Sequence, residues 1–147
     1  QVDVESPDRD AERQILVSTT GAMEAEAEPV MDGADLIAAQ RMIRHIPVGE
    51  SVVDSILTLV RNGRPETSTI AEVRNHVSWG PGPRASQALM LAVRARAAMG
   101  GRLAPSLDDV LALAHPILRH RMALTFAARA EGVTVGSIID KLCETIA

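Results

Sequence analysis

A chain of 147 residues has the length of one domain and is long enough to bury a core without disulfides or metals. Hydrophobic residues make up 46% of it, yet it holds one Trp, one Phe and no Tyr, so the core must be aliphatic, which favours packed helices over a β-sandwich. The net charge of −4 argues against a general nucleic-acid binder but hides an asymmetry: residues 1–78 carry 7 Arg and 14 acids (−7), residues 79–147 carry 7 Arg, one Lys and 5 acids (+3).

Gln1-Val2-Asp3-Val4-Glu5 alternates like a strand whose partners are missing, which points to a piece of something longer. Ser6-Pro7-Asp8 makes a helix start, because Ser can cap free amides, Pro needs no amide partner at the first position and Asp suits the positive helix end. A helix over Pro7–Val17 follows. Residues 18–33, with Gly21, Glu24, Glu26, Glu28, Pro29 and Gly33, show no periodicity and read as an acidic, solvated linker. Leu36, Ile37, Met42 and Ile43 then return at helical spacing over Ala34–Arg44, with Asp32 as cap and Pro47 as punctuation. A helix over Glu50–Asn62 buries Val52, Val53, Ile56, Leu57, Leu59 and Val60 before Gly63 and Pro65 stop it. Residues 64–79 are the least regular stretch, with one short helix over Ile70–Val77 turning Val73 and Val77 inward.

Gly80-Pro81-Gly82-Pro83 is a rigid turn, and the strongest helix of the chain, Arg84–Met99, begins after it. Ala88, Leu89, Leu91, Ala92, Ala95 and Met99 form its core stripe, and Arg94 and Arg96 leave it. Gly100-Gly101 ends it. Ser106 caps a helix over Leu107–Ala114, with Asp108 and Asp109 where the helix dipole favours acids, and Pro116 resets the chain. Ile117–Ala130 continues as helix, interrupted or complete, until Gly132, and a last helix spans Val135–Ile146. The expected fold is an all-α helical bundle over residues 34–147, with a short orphan strand at the N-terminus.

Much chemistry is missing. A P-loop requires Gly-x-x-x-x-Gly-Lys-Ser/Thr so that its lysine can reach the outer phosphates; Lys141 is the only lysine here and no glycine loop precedes it. No metal site is expected, because His115 and His120 lack metal-ligand spacing and have Arg neighbours that would repel a cation. Cys143 shares a helix face with Ile139, Leu142 and Ile146 and reads as a core cysteine; with no partner for a disulfide it fits a reducing, cytoplasmic compartment. No apolar run approaches the ~20 residues needed to span a bilayer, so no membrane is expected.

Trp79-Gly80-Pro81-Gly82-Pro83-Arg84-Ala85-Ser86 is the most informative segment. Its turn delivers Arg84 to a helix start, where free amides favour an anion and a guanidinium adds paired hydrogen bonds. Phosphate is the natural ligand. By itself such an arginine also fits a solvated residue or a carboxylate partner.

Gly80-Pro81-Gly82-Pro83-Arg84-Ala85-Ser86 resembles the sensor-2 segment of MoxR-type AAA+ ATPases, commonly Gly-x-x-Pro-Arg-Ala-Ser. Gly101-Arg102, Asp109-Val110 and Ala114-His115-Pro116-Ile117-Leu118-Arg119-His120-Arg121 follow at spacing similar to that family's, and Ser6-Pro7-Asp8-Arg9 is similar to its passage from core to lid. The resemblance implies a helical lid whose missing core binds ATP and magnesium, with subunits in a ring. It places residues 1–17 at the end of that core, 18–33 in the linker and 34–147 in the lid, and gives Arg84 the phosphate-sensing role, in cis or in trans. It implies chaperone-like or cofactor-insertion work beside von Willebrand factor A-type partners, with no catalytic residue and no cofactor in this chain alone. Arg119, His120 and Arg121 are expected to divide between a structural hydrogen-bond network and a subunit contact. The alternative is a stand-alone helical interaction or adaptor module with no nucleotide link, for which Arg84 has no role. A helix-turn-helix DNA reader using Arg94 and Arg96 is disfavoured by the acidic balance, and no nucleic-acid partner is expected.

Overall fold

The computed structural model describes residues 2, 4–21 and 27–147. Among them the chain is predominantly helical, in the order α1 (Arg9–Thr19), α2 (Gly33–His45), α3 (Glu50–Asn62), α4 (Ala71–His76), β1 (Val77–Trp79), α5 (Pro83–Met99), α6 (Leu107–Leu118), a 3₁₀ turn (Arg119–Arg121), β2 (Ala123–Leu124), α7 (Phe126–Ala130) and α8 (Val135–Glu144). The core is aliphatic: Val52, Ile56, Leu59 and Val60 of α3 meet Ala85, Leu89 and Val93 of α5, Val110, Ala114 and Leu118 of α6, and Ile138, Ile139 and Leu142 of α8. Non-directional apolar burial of this kind is the main favourable term in holding such helices together.

Three expectations about the first half need correction. The strand expected over Gln1–Glu5 is not formed at its described residues Val2, Val4 and Glu5, and Gln1 and Asp3 lie outside the described residues. A strand needs a ladder, and the two-stranded sheet that does form is antiparallel and mid-chain, pairing Val77 with Leu124 and Trp79 with Ala123. Second, Asp8 and not Ser6 caps α1, accepting the Ala11 N–H at 2.8 Å. Third, within α3 Leu57 is exposed and Val53 only half-buried, because the inward stripe runs through Val52, Ile56, Leu59 and Val60. Residues 22–26 of the expected acidic linker lie outside the described residues. Asp32 does cap α2, in a reciprocal box with Asp35. Neither α1 nor α2 buries a residue completely; α2 rests along α5.

The second half is read correctly in outline and wrongly at two joints. Pro116 does not reset the chain but sits inside the last turn of α6, which continues to Leu118. The proline removes one hydrogen bond to the carbonyl of Ala112; Ala112 is exposed, so water can satisfy that carbonyl while α6 keeps its packing on α3, α5 and α8. Beyond the 3₁₀ turn the chain is not helical at all until Phe126. Met122 and Leu124 are buried while Ala123 is exposed, the period of a strand, and Thr125 donates its N–H to the His76 carbonyl at 2.8 Å. The hydroxyl of Thr125 then caps α7, and Gly132, at φ +79°, makes the left-handed turn out of it.

The inward face of α5 also differs from the expected stripe. Ala85, Leu89, Val93 and Ala97 are the buried residues; Ala88, Leu91, Ala92 and Ala95 are half-buried, and Met99 is exposed. With small alanines on several sides, the sequence of α5 has little amphipathic contrast, so its orientation follows from the stronger faces of α3 and α6. Leu89→Ala is therefore expected to cost roughly 2–5 kcal/mol in urea unfolding, and Leu91→Ala about 1 kcal/mol; a reversed order would place the Leu91 face inward.

Candidate functional site

The site lies where the chain turns into α5. Pro83 takes the first helical position, where no amide partner is required, and Gly82 is the extended cap. Arg84 follows in the first turn, exposed, with none of the described residues paired to its guanidinium. The first turn of α5 holds no acid. A seventeen-residue helix thus presents its positive end and an available fork of N–H donors on the same surface.

What fixes this turn is not visible in the local sequence. A Cβ on Gly80 would fall 2.4 Å from the Gly63 carbonyl oxygen and 2.7 Å from Arg64 Cα, so only glycine permits the approach of backbone to backbone. Arg64 Nε donates to the Pro81 carbonyl at 2.7 Å. The end of α3 therefore clamps the turn and sets the direction in which α5 leaves it. Gly63 and Gly80 read in the sequence as helix breakers; their shared role as a close contact requires both segments to be in place.

The other end of α5 is held by Asp109, buried at the start of α6. Its carboxylate accepts both terminal nitrogens of Arg102, at 2.6 and 2.7 Å, and the Ser106 backbone N–H at 2.9 Å, while Arg96 Nε lies 3.1 Å away. The Arg102 hydrogen bonds, with the Ser106 amide and the two cations, outweigh desolvation and hold the Asp109 carboxyl down at about 2. The sequence places Asp109 only as a dipole-compatible acid and Arg96 on the outside; the structure makes them partners. The detectable sign was the Ser106-x-x-Asp109 spacing of a capping box.

Arg119, His120 and Arg121 form the 3₁₀ turn after α6. Arg121 is half-buried and its Nη1 donates back to the Ile117 carbonyl at 2.6 Å, closing the helix end, and its guanidinium also meets His120; Arg119 and His120 are exposed. The 3₁₀ turn packs mainly on α6 and α8. His115 Nε2 lies 2.8 Å from Asp140 Oδ1, tying α6 to α8, and Lys141 pairs with Glu72, tying α8 to α4. Cys143 is half-buried, and burial pushes its thiol up, away from nucleophilic thiolate chemistry. Among the described residues no group of three His, Cys, Asp or Glu side chains is placed to hold a metal ion, and no helix is long and apolar enough to cross a membrane.

Residues 70–142 match the AAA lid domain family. The chain is 28% identical over its whole length to Chaperone MoxR1 of Mycobacterium tuberculosis, covering 39% of that protein. It is 31% identical over 81% of its length to the uncharacterized protein YeaC of Bacillus subtilis, covering 35% of it. The chain thus spans well under half the length of these relatives. A crystal structure of a candidate ATPase from Cytophaga hutchinsonii superposes with a TM-score of 0.84 over 96% of this chain and 43% of that one; at 22% identity the likeness is one of fold.

Two measurements test the frame around α5. Gly80→Ala is expected to destabilise by roughly 1–3 kcal/mol by thermal and urea unfolding, because the added methyl meets backbone; an unchanged midpoint would mean that α3 does not clamp the turn. Asp109→Asn is expected to cost roughly 1–3 kcal/mol at neutral pH. The folded carboxyl titrates at about 2, below its ordinary 3.8, so its stabilisation is present above the ordinary value and lost as pH falls through the folded one. Between those two values the stability of the variant should fall less steeply with acid than that of the wild type; parallel curves would remove Asp109 from the acid response.

Proposed function

We propose that this chain, whose residues 70–142 match the AAA lid domain family and which is similar to Chaperone MoxR1, is the lid of a MoxR-type ATPase and couples ATP binding and hydrolysis in an ATPase core to movement of the lid, through Arg84. The observation that carries this reading is the placement of Arg84: unpaired, in the first turn of α5, beyond a turn clamped by Gly63, Arg64 and Gly80. A guanidinium so held can meet two oxygens of a phosphate and move with the whole helix, which is how a cation on a mobile domain reports the state of the γ-phosphate.

The residues of this chain fit one part of an ATP site. They offer a phosphate contact at Arg84; the sequence holds no P-loop lysine with its glycine loop, and among the described residues no set of carboxylates is grouped for magnesium. In this reading ATP and magnesium are held by the core, residues 1–17 lead out of that core, 18–33 form the linker and 34–147 the lid. Subunits assemble in a ring, and Arg84 serves its own or a neighbouring nucleotide. A subunit contact at the exposed Arg119 and His120 belongs to the same reading, while Arg121 closes α6. A chaperone role is supported by the name of the Mycobacterium tuberculosis relative; cofactor insertion, von Willebrand factor A-type partners and a cytoplasmic location belong to the same reading through the family resemblance.

In the ATPase that carries this lid, Arg84→Ala is expected to lower ATP turnover roughly 10–1000-fold while the circular dichroism and melting of the lid stay those of the wild type. Arg84→Lys should restore little, because an ammonium keeps the charge but loses the planar fork. Wild-type turnover in an assembled Arg84→Ala ring would make Arg84 an ordinary surface cation.

A further inference from the structure

We propose that the seam between α2 and α5 is a docking groove for an acidic amphipathic helix of a partner protein. Where α2 lies along α5 it leaves a hollow of about 520 Å³, with Ile37, Ala88, Leu91 and Ala92 among its apolar walls and Arg41 and Arg44 at its margin. A second hollow adjoins it through Arg44 and Leu91 and is bordered by Arg94. Among the described residues, no Asp or Glu lines either hollow. The two together therefore combine an apolar floor with three arginines of one sign.

These arginines differ from the rest of their helix. Arg96, two residues beyond Arg94, finds Asp109 at 3.1 Å, whereas Arg94 Nε is shielded from solvent and has no hydrogen-bond partner among the described residues. A donor in that state lacks an acceptor that a carboxylate would supply. Arg41 and Arg44 stand three residues apart on α2, one helical turn, which is the separation of carboxylates at i and i+3 or i+4 on a second helix. Helix-in-groove recognition uses apolar anchors at the same spacing, flanked by charges that set register and partner. Since α2 has no fully buried residue, the groove is not filled from its own side. Nucleic acid is a poorer match, because a phosphate backbone brings no apolar anchors for the floor formed by Ile37, Leu91 and Ala92.

The test needs no knowledge of the natural partner and does not involve ATP. Two fluorescent amphipathic peptides of about 14 residues share Leu at i, i+3, i+4 and i+7; one carries Glu on the flanks and the other Lys. Anisotropy titration of this chain should show the Glu peptide binding at least about tenfold tighter than the Lys peptide, with affinity falling as salt rises. Arg41→Glu combined with Arg44→Glu should weaken the Glu peptide at least about tenfold without changing the melting temperature, since α2 contributes nothing to the buried core; Arg94→Gln should weaken it from the other wall. Equal binding of the two peptides, absence of saturable binding, or unchanged binding by the double variant overturns the proposal. Tighter binding of an oligo-dT strand would assign the groove to nucleic acid, and self-association that the Glu peptide does not displace would assign it to a second copy of the chain; either result also overturns it.

Discussion

The carboxylate of Asp109 joins three separate pieces of chain. It takes the forked donors of Arg102 from the loop after α5, receives Arg96 from the last turn of α5, and satisfies the Ser106 amide at the start of α6. A buried charge is tolerated only when it is paired and hydrogen-bonded, and here the pairing also fixes a geometry: α6 must leave the loop at the angle at which its carboxylate meets both arginines. The apolar contact of α5 with α6 then follows along Leu89, Val93, Val110 and Ala114. Apolar packing supplies most of the free energy in such a core, but it is non-directional, and α5 has apolar or small residues on several faces. The ion cluster selects among the rotations that packing alone would allow.

At the opposite end of α5 the selection is steric. Gly80 and Gly63 let two backbone segments approach more closely than any side chain would allow, and Arg64 fastens Pro81 to the end of α3. With one end set by an ion cluster and the other by a backbone contact, α5 behaves as a rod whose first turn has a defined direction. Arg84 inherits that direction. The role proposed for Arg84 requires this, because a guanidinium on a floppy terminus would average over positions and could not transmit the presence or loss of a phosphate to the rest of the domain.

The two sides of α5 facing away from the core carry different chemistry. Its first turn offers a cation and helix amides to a small anion, while its flank beside α2 offers an apolar floor with Arg94, joined by Arg41 and Arg44 of α2. The helix that positions the site is thus also the helix that borders the groove. A partner seated along it would contact the element whose orientation bears on Arg84, and this gives a physical route, through one rigid helix, from a protein contact to the turn at which a phosphate contact is proposed.

Much of this was determined by the sequence alone: the helical class from an aliphatic composition nearly free of aromatics, and the positions of α3, α5 and α8 from their spacing and their Gly and Pro boundaries; Arg84 stood out from an ordinary surface arginine only through the family resemblance of the turn before it. The class and the helix positions are local properties, governed by chain stereochemistry and helical periodicity, and a short window contains all the information they need. The tertiary structure decided the rest. Val77 and Leu124 pair across 47 positions of sequence, and that pairing pulls residues 122–125 out of the helix their local composition favours. Pro116 stays helical because α6 keeps its packing on α3, α5 and α8. Arg96 turns from an outward cation into a partner of Asp109, and Gly80 from a breaker into a contact point. Each outcome depends on atoms distant in sequence arriving within a few ångströms, and the free energy of that encounter exceeds the small local preferences from which a sequence is read.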